Sequence, residues 1–286
     1  MPITINSNIS SLKGQRLLTV SSDALSRTYE KLSSGQRINR ASDDAAGLAI
    51  ADSLKATQRV ASVGIRNAND GISTIAIADG ALGQIGNVLS RLAELAEQSA
   101  NGTYSTQQRS ALQNEFVSLG SEIERIAVTT TFNGVALLSG TPQIVLQVGF
   151  NSQSTSQITL AGISGTLAGL GLASPNFSNL TFSINANNAD EAQSASRLAL
   201  DGINGAISSL AVLRGNLGAV ESRLSVAINN LSVARENFAA AESRIRDVDV
   251  ANEAAELTRL NILQQAGASI LAQANQQPQL ALGLLR

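Results

Sequence analysis

Residues 203–248 read INGAISSLAVLRGNLGAVESRLSVAINNLSVARENFAAAESRIRDV, and this stretch decides the fold. Ile203, Ala206, Leu210, Leu213, Leu217, Val220, Leu224, Ala227, Leu231, Ala234, Phe238, Ala241, Ile245 and Val248 follow one another in alternating steps of three and four. That is a heptad seam sustained without proline, the signature of one long helix. A single helix cannot bury such a stripe by itself, so it needs partner helices.

The N-terminal half supplies them. Gly47, Ile50, Leu54, Thr57, Ala61, Gly64, Ala68, Gly71, Ile75, Ala78, Leu82, Ile85, Leu89, Leu92 and Ala96 keep the same register. The early positions are small and the later ones large, so the helix axes approach closely first and then separate. Ser42, ahead of Asp43 and Asp44, is the expected N-cap. Asn101-Gly102 is the expected stop. Ser105 with Gln108 reads as a capping box opening a third helix, whose stripe is Leu112, Phe116, Leu119, Ile123 and Ile126.

Phe132-Asn133-Gly134 breaks helicity, and the chain then changes character. Ile126 to Ala189 carries no charged residue but is interspersed with Asn, Gln, Ser, Thr, Gly and Pro, which excludes a transmembrane helix there. Gln143–Phe150, Gln157–Leu160, and Leu180, Phe182 and Ile184 alternate polar with apolar and predict short strands. The glycines at 162, 165, 169 and 171 have no following Lys and no strand-to-helix context, so they read as turns, not as a phosphate loop.

Composition narrows the chemistry. The 286 residues are 43% hydrophobic but only 3% aromatic, so the core is built from Ala, Leu, Ile and Val. There is no Cys and no His, which removes thiolate and imidazole metal sites, cysteine nucleophiles and Ser-His-Asp triads. No cofactor is implied. Paired carboxylates remain, and Asp43-Asp44 and Glu253 with Glu256 are candidates for hydrolytic chemistry. A formal net charge of -2 gives no attraction for nucleic acid or anionic membrane. The N-terminus lacks the basic-then-apolar pattern of a cleaved secretory signal.

Both chain ends are apolar without large aromatic anchors. Ile5, Ile9 and Leu12 are followed, after a phase slip, by Leu18, Leu25, Tyr29 and Leu32. Val250, Ala254, Leu257, Leu260, Leu263, Ile270, Leu271 and Ala274 form a corresponding stripe at the other end. These helices either pack on each other within one molecule or order only against neighbouring copies, and periodicity does not choose between the two.

The residues themselves carry a family resemblance. LSRTYEKLSSGQRINRASDDAAGLAIADSL from Leu25 to Leu54 resembles the N-terminal signature of bacterial flagellins, and RNANDGISTIAIADGAL from Arg66 to Leu82 resembles their next block. Phe132-Asn133-Gly134 matches a turn of the family, and SRIRDVD (Ser243 to Asp249), ILQQ (Ile262 to Gln265) and LAQAN (Leu271 to Asn275) resemble its C-terminal region. The resemblance implies a mainly α fold: long coiled-coil helices from both chain ends plus a helical bundle domain with a small β-hairpin. The implied inner domain comprises 1–42 and 247–286, the helical domain 43–162 and 190–246, and a short variable segment 163–189 joins them. With little or no outer domain, the chain resembles a minimal flagellin.

The implied function is that of an extracellular, non-enzymatic subunit that self-assembles into the flagellar filament. The implied assembly residues are Ile5, Ile9, Leu12, Leu18 and Leu25 with Leu257, Leu260, Leu263, Ile270 and Leu271. Burying one such side chain is worth roughly 1.5–3 kcal/mol, against an ordering cost of about 1–2 kcal/mol per residue of backbone. The implied partners are further copies of the chain, a flagellar export chaperone, the type III export apparatus, and hook-associated and cap proteins. The nearest alternative is a hook–filament junction protein. SRLAELAEQ from Ser90 to Gln98 resembles the flagellin surface recognised by an innate-immune toll-like receptor, which would use Arg91, Leu95 and Glu115; Ala93 stands where a second basic residue is common. Arg37, Arg40, Asp43 and Asp44 are candidates for inter-subunit ion pairs or for solvated charge, and Ser152, Ser154, Thr155 and Ser156 for O-linked glycans.

Overall fold

The boundaries of the first helix and the starts of the second and third fall at residues whose chemistry accounts for them. The computed structural model describes residues 7–140, 143–174 and 178–284, with the backbone alone for 278–284. Among the described residues the helices are α1 (Ile9–Ser34), α2 (Ala45–Ala100), α3 (Thr106–Thr129), α4 (Ala189–Arg246) and α5 (Val250–Leu284). The Asn8 side chain caps α1 by accepting the Ser11 N–H, and Gly35 ends that helix in the left-handed region at φ 70°. Asp44, not the expected Ser42, accepts the Gly47 N–H at the start of α2 (2.9 Å). The capping box of Ser105 and Gln108 forms in both directions.

Two short antiparallel hairpins accompany the helices. β1 (Thr131–Phe132) pairs with β2 (Val135–Ala136), and β3 (Ile144–Gln147) pairs with β4 (Gln157–Leu160). Asn133 and Gly134, at φ 50° and 78°, form the two-residue turn of the first hairpin, a geometry that favours this dipeptide.

The chain divides into two compact units, residues 1–58 with 236–286, and residues 59–235. The expected division lay at the chain breaks near residues 42 and 247. The observed one falls inside α2 and α4, because both helices run through the point where their packing partners change.

In the unit of residues 59–235, α2, α3 and α4 share one core with the second hairpin and the segment 163–173. Leu82, Ile85, Leu89 and Leu92 of α2 meet Phe116 and Ile123 of α3 and Ile203, Leu210, Leu217 and Leu224 of α4. α2 and α4 are antiparallel: Gly64 faces Leu231, Gly71 faces Leu224, and Gly86 faces Leu210. Arg214 of α4 makes a two-point contact with Asp79 of α2 (2.7 and 3.0 Å), whose carboxyl is held below its ordinary range mainly by that hydrogen bond. Both partners are substantially exposed, so the pair marks register more than it stabilises.

The small residues of the α2 seam have a second purpose: they make room for the β3–β4 hairpin. A Cβ at Gly64 would lie 3.1 Å from the Val148 carbonyl oxygen, one at Gly71 would collide with the Leu146 side chain, and the Asn67 amide donates to the Gln147 carbonyl (2.8 Å). Gly80 and Gly83, by contrast, face open space. Gly80→Ala with Gly83→Ala should therefore raise stability by about 1–2 kcal/mol through helix propensity alone. Denaturant unfolding followed by circular dichroism checks this, and Gly64→Ala should gain less because the Val148 backbone cannot move aside.

The predicted strand over 180–184 is absent. Leu180, Phe182 and Ile184 do alternate inward: Leu180 packs on Gly120, Phe182 on Gly202, and Ile184 is fully buried. Side chains replace a strand partner. The Gln113 carbonyl oxygen accepts the Ile184 N–H (2.7 Å), and the Ser99 and Ser196 hydroxyls donate to the Ile184 carbonyl (2.6 and 3.2 Å). Of the glycines at 162, 165, 169 and 171 only Gly165 is buried; Gly171 adopts φ 78°, and Leu167 and Leu170 between them are buried in the core.

Candidate functional site

The unit formed by both chain ends is built on α1 and α5, which pair in opposite directions. The Asn8 amide donates to the Ala274 carbonyl (2.8 Å), and the Ser11 hydroxyl donates to the Asn275 side chain (2.6 Å). Gly14 faces Leu271, Leu18 faces Gly267, and Lys31 pairs with Glu253 at 3.9 Å. The inward face of α1 is thus Gly14, Leu18, Ser21, Leu25, Thr28 and Leu32, and that of α5 is Leu257, Leu260, Gln264, Gly267, Leu271 and Ala274. Each is a heptad pattern diluted with small or polar residues, so the two helices touch along a thin seam.

The expected assembly residues separate on this geometry. Leu25 and Leu260 are buried within the pair, and Leu18, Leu257 and Leu271 are half-buried along it. Ile9, Leu12, Leu263 and Ile270 lie outside the seam, 46–63% exposed. Ile5 lies outside the described residues. Leu17, Val20 and Ile262, which the sequence reading passed over, are exposed in the same way. The phase slip in α1 now has a cause: Leu18, Leu25 and Leu32 follow the seam with α5, whereas Ile9, Leu12 and Val20 occupy a different face of the same helix. An apolar groove of about 440 Å³ runs between the helices, lined by Leu17, Leu18, Val20, Leu263 and Ile270.

Residues 35–44 and 247–249, which link these helices to α2 and α4, are fastened by backbone bonds. Gln36 and Asp247 form an isolated bridge, the Arg37 N–H donates to the Arg246 carbonyl (2.6 Å), and Val248 donates to Gly35 (3.1 Å). The Arg37 guanidinium donates to the Ile245 carbonyl at the end of α4 (2.7 Å), and Arg246 pairs with Asp52 (3.2 Å). Arg40 pairs with Glu30. Asp43 accepts the Arg40 and Asn39 N–H groups, in that order the main reasons its carboxyl is held below the ordinary value. Ile38 is buried against Gly47 at the start of the α2 seam, and the next inward position is Ala51, fully buried, with Ile50 beside it 54% exposed. The four charged residues weighed as inter-subunit partners thus have partners within the chain. So do the carboxylates weighed for hydrolysis, Glu256 with Arg259 and Glu253 with Lys31 among them.

Arg91 and Glu115 meet on the surface between α2 and α3 (2.9 Å), and Arg91 also pairs with Glu94 (2.8 Å). These bonds, Glu94 first, raise the guanidinium pKa above its ordinary value. Leu95 is not beside them on the surface. It is fully buried in the core, because α2 there packs on both α3 and α4 and its buried arc is wider than one stripe. Ser152, Ser154 and Thr155 lie on an exposed turn, whereas Ser156 is buried and hydrogen-bonded to Asn151.

By length and composition α2 would suffice to cross a membrane, but the residues that give it that character include the core members Ile75, Leu82, Ile85 and Leu89.

Comparison with known proteins agrees over nearly the whole chain. Residues 5–143 match the family model of the bacterial flagellin N-terminal helical region, and residues 200–285 match that of the C-terminal helical region. A flagellin of Halalkalibacterium halodurans is 44% identical over 99% of both chains, and a flagellin of Bacillus subtilis is 40% identical over 99% of both. A flagellar filament 30.7 kDa core protein of Treponema maltophilum is 35% identical over 98% of this chain and 99% of its own.

Proposed function

The chain belongs to the bacterial flagellin family and is a structural subunit of the extracellular flagellar filament; from that premise we propose how it is delivered and how it joins its neighbours. The α1–α5 pair is the polymerising element. The observation that carries this reading is the exposed apolar face left after the two helices have packed: Ile9, Leu12, Leu17, Val20, Ile262, Leu263 and Ile270 in one small unit. Such a surface is unfavourable in water and marks a contact to be made. Contacts between two different faces of successive copies do not close and so generate a helix of subunits.

The thin α1–α5 seam also suits export. A pair joined through Gly14, Ser21, Thr28 and Gly267 opens at little cost, and a chain without cysteine has no disulfide to undo on passing a narrow channel. A type III export apparatus, an export chaperone that shields the C-terminal apolar helix, and hook-associated and cap proteins at the growing tip are the partners of this route. The reading is structural, in keeping with the flagellin family; Asp43, Asp44, Glu253 and Glu256 hold backbone N–H groups or cations. Receptor recognition, if it uses this surface, rests on Arg91 and Glu115 without Leu95.

Purified protein placed under polymerising conditions and imaged by electron microscopy is expected to grow long filaments from this chain alone. Short aggregates or no polymer would favour the hook–filament junction reading.

A further inference from the structure

α5 has a proline in its interior. The helix runs from Val250 to Leu284 and passes through Pro278. Proline has no N–H to give to the carbonyl four residues before it. That carbonyl belongs to Ala274, and it is the one that accepts the Asn8 amide at 2.8 Å. Ala274 is buried, where an unmade backbone bond is costly. Asn8 is at the same time the N-cap of α1, its Oδ1 accepting the Ser11 N–H at 3.0 Å. One side chain therefore starts one helix and fills the gap in another. Asn, Asp and Ser cap a helix about equally well, but of the three only the Asn amide carries an acceptor on one atom and a donor on another.

The place of this contact gives it a purpose. At one end α1 and α5 are fastened by the Gln36–Asp247 bridge and the bond from Val248 to Gly35. Asn8 and Ala274 lie at the other end, with the thin seam of Gly14, Ser21 and Thr28 between. We infer that Asn8 and Pro278 form a clasp: Pro278 frees an acceptor in α5, Asn8 occupies it, and the far end of the α1–α5 pair is held closed. Asn8 is thus a positioning residue. Closure holds Ile9 and Leu12 of α1, both exposed, in fixed register with the exposed Ile270 of α5. That consequence for assembly rests on the reading of this pair as the polymerising element; the clasp itself does not.

The cysteine-free chain makes the test direct. A Cβ on Gly14 lies 4.0 Å from that of Leu271, a separation that a disulfide spans. Gly14→Cys with Leu271→Cys, equilibrated against glutathione in filaments and in dissociated subunits, therefore measures how fully the far end is closed. Asn8→Asp keeps the cap and loses the amide donor. It is expected to lower the disulfide's equilibrium constant about five- to ten-fold, the effect of one hydrogen bond, with helix content unchanged by circular dichroism. Pro278→Ala returns an N–H to α5, and in that background Asn8→Asp should change the constant less than about two-fold. An unchanged constant for Asn8→Asp in both states overturns the inference. So does an equal fall with and without Pro278, because the proline then has no part in the contact. Amide hydrogen exchange supplies the location: acceleration confined to residues 9–18 and 267–277 supports the clasp, and equal acceleration over 25–34 and 250–260 overturns it, since Asn8 would then stabilise the pair as a whole. A chain that forms no filament would sink the polymerisation reading, while the disulfide constant of its dissociated subunits would still decide the clasp.

Discussion

Arg109→Ala is expected to destabilise the helical unit by about 3–5 kcal/mol, a loss out of proportion to an ordinary arginine. Arg109 is fully buried near the start of α3. Its Nε donates to the Ser99 carbonyl (3.0 Å) and its Nη2 to the Asn101 carbonyl (2.9 Å), at the C-terminal end of α2. The last carbonyls of a helix have no partner within it, and here a cation provides one at the negative end of the helix dipole. Hydrogen bonds to charged groups contribute about 1.5–3 kcal/mol each, and truncation adds a cavity. The same knot holds the segment before α4: the Ser99 hydroxyl reaches the Ile184 carbonyl, and Asn185 donates to Ser110 (3.0 Å). Opposing this, Nη1 and the Asn185 Oδ1 have no protein partner among the described residues, so part of the desolvation cost stays uncompensated. Arg109→Lys keeps the charge but not the fork that spans two carbonyls, and should recover less than half of the loss. Denaturant unfolding of the dissociated subunit measures both. A change below 1 kcal/mol for Arg109→Ala would mean that the uncompensated cost cancels the two bonds.

The amino-acid pattern revealed the helices and withheld their surroundings. The α4 seam was legible because proline-free heptads over that length have few alternatives, and Ile203, Leu210, Leu217 and Leu224 are buried as the pattern requires. The capping box at Ser105 was legible because its chemistry is local. What failed depended on contacts distant in sequence. Ile50 continued the α2 seam on paper, but Ala51 takes the inward position after Gly47 and Ile50 is 54% exposed. Leu180, Phe182 and Ile184 alternated as a strand does, yet the Ile184 backbone is held by the side chains of Gln113, Ser99 and Ser196 and not by a paired strand. Nothing in the polar start of α3 sets Arg109 apart from a surface charge; only the helix end folded beside it shows why it is inside. The candidate assembly residues were legible as apolar and not as exposed, because one period describes both the seam residues of α1 and α5 and the residues beside it.

That distinction gives the larger functional prediction. Leu263→Lys with Ile270→Lys should abolish polymerisation or raise the critical concentration at least about 100-fold. Each loses the transfer free energy of a large apolar side chain, roughly 1.5–3 kcal/mol, and about 1.4 kcal/mol corresponds to ten-fold in an equilibrium constant. Because both side chains are exposed in the single chain, the dissociated double variant should keep its helix content. Leu25→Ala with Leu260→Ala tests the opposite case. These two are buried between α1 and α5, so their truncation should loosen the pair before any partner arrives, visible as faster proteolysis of both chain ends in dissociated subunits. Sedimentation of polymer at graded protein concentration, beside circular dichroism and limited proteolysis of the subunit, separates the two. If the lysine variant polymerises as readily as the unsubstituted chain, the exposed flank of the α1–α5 pair is not where copies meet, and the polymerising contact must be sought elsewhere on the subunit.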